Sequence, residues 1–85
     1  MKLQFSDIQS PENFYTELKK QSAGKTFGDN LDALYDFLTT DLKGPAEVIW
    51  TSYENDVKAH AELRAVRGVL LAAAKERSDL SIRWI

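Results

Sequence analysis

Gly44-Pro45-Ala46-Glu47-Val48-Ile49-Trp50-Thr51 sets the plan of this 85-residue chain. Proline cannot continue a helix and disfavours helical geometry in the residue before it, so Gly44-Pro45 closes whatever helix leads into it. Glu47 to Thr51 is then β-branched and aromatic, the composition of a short central strand between turn signals. Towards the N-terminus, Lys2-Leu3-Gln4-Phe5 alternates with a period of two, and Leu80-Ser81-Ile82-Arg83-Trp84-Ile85 does the same at the other end. Both read as half-buried strands.

Between the strands the spacing is helical. Ser10 can cap a first helix, Pro11 fits its first position, and Glu12 complements the positive end of the dipole. Phe14, Leu18 and Gln21 share its inner face with Tyr15 beside them, and Ser22-Ala23-Gly24 ends it. Asn30 can cap a second helix whose apolar series is Leu31, Leu34, Leu38 and Leu42. Tyr53 to Ala59 reads as a short helix. Ala61 to Arg77 is a longer one, with Leu63, Val66, Leu70 and Ala73 or Ala74 inward and Val69 and Leu71 widening the stripe. Gly68 in its middle costs about 1 kcal/mol against alanine unless close packing requires it. Helical crossovers between strands favour parallel pairing with right-handed connections. The expected fold class is α/β, a three-stranded, mostly parallel sheet packed with three to four helices, in one domain spanning residues 1–85.

Composition narrows the function. Hydrophobic residues make up 44% and charged residues 28%, the balance of an ordinary globular domain. The chain has no cysteine, which removes disulfides and thiolate metal sites and makes an intracellular, cytoplasmic location the default. The opening Met1-Lys2-Leu3-Gln4-Phe5-Ser6-Asp7 turns polar too soon for a signal peptide, and no run is long enough to span a membrane. One histidine, His60, beside charged residues, reads as a solvated side chain. No nucleophile with a base, no metal-ligand set and no glycine-rich phosphate loop is present, so neither an enzyme nor a cofactor is expected.

Charge is the informative feature. Residues 27–42 hold four of the 13 acidic residues and none of the 11 basic ones, while the whole chain is only −2. A local field of one sign selects a partner of the opposite sign, which argues for a basic protein and against nucleic acid. On the second helix Asp32, Asp36 and Thr39 line a side away from the leucines, flanked by Tyr35 and Thr40. Asp32 and Asp36 repel each other at four-residue spacing. Tyr35 between them is of the type enriched at binding hot spots. Phe27 is either a second anchor or a plug beneath the loop. The plain alternative is a solvated amphipathic helix.

Phe27-Gly28-Asp29-Asn30-Leu31-Asp32-Ala33-Leu34-Tyr35-Asp36-Phe37-Leu38-Thr39 resembles the signature of the barstar family, intracellular bacterial inhibitors of ribonucleases. The resemblance extends more weakly to the whole chain. It implies a three-stranded parallel sheet with helices, and a mechanism in which the helix and its preceding loop plug a positively charged ribonuclease active site. By position it marks Asp36 as the central acid, Asp32 as its partner one turn earlier, Tyr35 as the intervening aromatic and Thr39 as the threonine one turn later. Gly28 and Asn30 correspond to loop residues of the motif. The chain departs from the familiar pattern at Thr26, Tyr35, Asp41 and Ala72, with Glu76 one turn beyond Ala72. The expected function is inhibition of a basic ribonuclease, with an immunity protein for a ribonuclease toxin as one form of it, by a monomer in a one-to-one complex. The alternative is a module that binds another basic protein through the same helix. Phe27, Gly28, Asn30, Asp32, Tyr35, Asp36, Thr39 and Thr40 are the expected partner-binding residues.

Overall fold

A computed structural model describes residues 1–22 and 28–85. The strands are β1 (Lys2–Phe5), β2 (Ala46–Trp50) and β3 (Leu80–Trp84), and the helices are α1 (Pro11–Gln21), α2 (Leu31–Asp36), α3 (Tyr53–Ala59) and α4 (Leu63–Glu76). A π-helical turn, Phe37–Asp41, continues α2. All strand pairs are parallel, in the order β1-β2-β3, so β2 is central as its composition requires. Leu3, Val48 and Ile82 stand side by side across the sheet, as do Phe5, Trp50 and Trp84.

Alternation decides which face of each strand is buried. Leu3 and Phe5 are buried on β1, and Ala46, Val48 and Trp50 on β2. The first helix then covers this face. Ser10 Oγ accepts from Asn13 N at 3.0 Å, Pro11 starts the helix, and Phe14, Tyr15 and Leu18 enter the core. Phe14 stacks on Phe5 with ring centroids 4.1 Å apart and tilts against Trp50 at 5.4 Å. Leu63, Val66, Leu70 and Ala73 of α4 are fully buried, together with Leu34, Leu38 and Phe37 of the acidic helix and its turn. Each such aliphatic side chain contributes about 1.5–3 kcal/mol when removed from water. Asp7 takes a left-handed φ of 52°, which residues of its type tolerate. Ile8 beyond it is buried.

Three details depart from the expected pattern. Leu31 is 36% exposed and Leu71 42% exposed, so each lies off the buried stripe assigned to it. The reason is angular: the fully buried positions are Leu34 and Leu38 on the acidic helix and its turn, and Leu63, Val66, Leu70 and Ala73 on α4, and Leu31 and Leu71 fall to one side of them. Gly68 is exposed, and a Cβ there would meet nothing within 4 Å, so packing does not require it. The expected glycine-rich end of α1 at Ala23 and Gly24 lies outside the described residues; α1 closes on Ser22, whose N–H donates to Lys19 O.

Candidate functional site

The acidic helix starts where the sequence places it. Asn30 is extended, and its Oδ1 accepts from Ala33 N at 2.8 Å, satisfying one of the free N–H groups of the first turn. Gly28 leaves room beside this cap, since a Cβ at that position would stand 2.9 Å from Asn30 Nδ2. Asp32 lies in the first turn, where the partial positive charge of the helix end favours a carboxylate.

Asp32, Tyr35 and Asp36 share one side of α2, and Thr39 follows them in the π turn. Asp32 and Asp36 are exposed, Tyr35 and Thr39 half-buried, and Thr40 exposed. Tyr35 packs partly against the core, so it is less open than an isolated helix would leave it. Thr39 turns its hydroxyl back to donate to Tyr35 O at 2.8 Å, which leaves only acceptor capacity to offer a partner. Gly28 and Asn30 are exposed at the approach to the helix, next to the partly exposed Leu31. Phe27 and Thr26 lie outside the described residues.

The four carboxylates of the stretch are not equivalent. Asp29 is engaged by the Lys19 ammonium of α1. Asp32 and Asp36 are exposed and form no ion pair with a cation among the described residues. On α4, Ala72 and Glu76 are both exposed.

Sequence reading misses the group that closes this helix. Arg77, at the end of α4, directs Nη1 onto Leu38 O at 2.8 Å and Leu42 O at 2.7 Å. Its Nε and Nη2 grip the two carboxylate oxygens of Asp79, each at 2.9 Å. Hydrogen bonding to Asp79 raises the guanidinium pKa above its ordinary value, and hydrogen bonding from Arg77 holds the Asp79 carboxyl below the usual range. Gly44 leaves the space, since a Cβ there would lie 1.7 Å from Asp79 Oδ2 and 2.6 Å from Arg77 Nη2. The only hints in the sequence are a glycine before proline and an Arg-x-Asp spacing, neither of which points to a helix 35 residues away.

Among the described residues no group of three or more His, Asp or Glu side chains is arranged to hold a metal ion, and no helix is long and apolar enough to cross a membrane.

The architecture defines a class: a small α/β protein with a parallel sheet, whose capped helix presents carboxylates on one side. Residues 1–83 match the family model Barstar, described as barnase inhibitor. The chain belongs to the barstar family, a family of inhibitors, and its three parallel strands with four helices form a barstar-like α/β fold. No curated protein matches it.

Proposed function

We propose that this protein inhibits a basic ribonuclease by seating the exposed side of α2, with the loop before it, in the nuclease active site. The observation that carries the reading is the pair Asp32 and Asp36, exposed on one side of a capped helix and unmatched by any cation among the described residues. In a chain of the barnase-inhibitor family, such carboxylates are suited to stand where RNA phosphates would otherwise lie. Tyr35 supplies apolar area between them, while Gly28, Asn30, Thr39 and Thr40 frame the contact. The inhibitor acts as a monomer in a one-to-one complex within the bacterial cytoplasm, where it serves as an immunity protein against a ribonuclease toxin.

A second reading is favoured by Ala72, which leaves an uncharged exposed position on α4 one turn from Glu76. A changed periphery around an unchanged acidic pair suits a basic partner other than barnase. The test is titration of the purified protein into fluorogenic RNA cleavage by barnase and by other basic microbial ribonucleases, with Asp36→Ala alongside. Stoichiometric inhibition of one of them, weakened in the variant, supports the inhibitor. Failure against the whole panel transfers the acidic helix to another basic protein.

A further inference from the structure

The last turn of the acidic helix does not wind as an α-helix. Leu42 N donates to Phe37 O at 2.8 Å, five residues back, instead of to Leu38 O, four back. A π turn of this kind is rare. Each donor moves back one carbonyl, so Leu38 O is the one passed over and loses the Leu42 N–H it would meet in α winding. Leu38 is buried, and a buried carbonyl without a donor is costly. Arg77 Nη1 fills that place on Leu38 O and also binds Leu42 O, the carbonyl just beyond the turn. The guanidinium is fixed from behind by both oxygens of Asp79, so four of its five N–H groups are committed in a rigid fork. Its side chain is only 14% exposed. The positive charge also sits where the helix dipole is negative, at the end of a helix whose own last turn holds no basic residue.

We propose that Arg77 is a positioning residue that selects the π register of residues 37–41 and thereby sets where Thr39 and Thr40 stand relative to Asp32 and Asp36. One extra residue in the turn rotates everything after Asp36 away from the direction that α winding would give it. The consequence for binding rests on the inhibitor reading; the consequence for the turn does not. Lysine cannot replace this arrangement, because a single ammonium lacks the planar fork that holds two carbonyls and a carboxylate together.

The experiment reads the register directly. Through-hydrogen-bond NMR couplings in the wild type connect Leu42 N with the carbonyl carbon of Phe37. In Arg77→Ala that coupling disappears, replaced by one to Leu38 or by none, while the strand couplings of β1, β2 and β3 persist. Arg77→Lys does not restore it. Ile8→Val, a core truncation in the segment between β1 and α1, lowers stability but leaves the Leu42–Phe37 coupling in place. Dissociation of the ribonuclease complex, measured on the same variants, becomes about tenfold faster for Arg77→Ala and stays near wild type for Ile8→Val. An intact Leu42–Phe37 coupling in Arg77→Ala overturns the proposal. A lost coupling with an unchanged dissociation rate overturns the positioning of the binding face. If the wild type binds no ribonuclease, the inhibitor reading fails by itself and the coupling still decides the register.

Discussion

The indole Nε1 of Trp50 donates to Asp56 Oδ2 at 2.8 Å, and the same oxygen accepts from Ile8 N at 3.0 Å. One carboxylate of α3, only 7% exposed, thus joins the central strand to the segment that leads from β1 into α1. Truncation would strand both donors in the core. Asp56→Ala is therefore expected to cost about 3 kcal/mol, from two orphaned groups at roughly 1–3 kcal/mol each. Asp56→Asn keeps an acceptor oxygen in place and loses less. Urea denaturation followed by tryptophan fluorescence checks the order wild type, Asn, Ala.

Gly44→Ala tests the space behind the Arg77–Asp79 pair. The new Cβ overlaps Asp79 Oδ2, so the carboxylate must move and release the guanidinium. Stability is expected to fall by less than the roughly 1–3 kcal/mol of overpacking a closed core, because Asp79 is half exposed and can turn aside. The double variant Gly44→Ala with Arg77→Ala should lose less than the sum of the single variants, because both break the same contact.

Gly68→Ala should act in the opposite sense. The position is exposed within α4, with room for a methyl group. Alanine removes the backbone entropy cost of glycine in a helix, so thermal and urea unfolding should show a gain of about 0.5–1 kcal/mol.

Asp36→Ala should stabilise the free protein while weakening its complex. It removes repulsion from Asp32 four residues away and a carboxylate at the unfavourable end of α2, and alanine is the better helix former. The expected gain in the unbound protein is about 0.5–1 kcal/mol by urea titration. Under the proposed inhibition Asp36 becomes an interfacial acid, whose loss costs about 2–5 kcal/mol or more in binding, a range that already includes the barnase–barstar interface. Loss of affinity together with loss of stability would show that Asp36 supports the fold instead.

Acid should release the Arg77 contact late. The guanidinium holds the Asp79 carboxyl below its unfolded value, near 3.9, so the unfolded chain takes up this proton first as pH falls. The contribution is complete above about pH 4 and disappears as pH drops through the lower folded value. Arg77 stays charged throughout this window, its pKa being raised. Unfolding free energies measured from pH 5 down to pH 2 should decline less steeply in Arg77→Ala than in the wild type.

What the sequence determined by itself is whatever depends on neighbours a few residues apart. Alternation at Leu3 and Phe5, the caps at Ser10 and Asn30, the stop at Gly44-Pro45 and the apolar spacing of α4 all act within a turn or two, and they specify strands, helices and their order. The acidic stretch is equally local, which is why Asp32 and Asp36 are legible as one side of a helix. Tertiary structure decided the rest. Leu31 and Leu71 match the apolar period, yet they are exposed because the buried stripe of each helix runs through other side chains. Asp56 meets Ile8 across 48 residues, a contact that no local pattern records. The π turn at Phe37–Asp41 obeys no local signal either: Arg77 reaches its carbonyls from 35 and 39 residues away, through space that Gly44 leaves open. Local periodicity records which way a side chain points from its own helix, but which buried carbonyl finds a donor is settled by chain segments that only folding brings together.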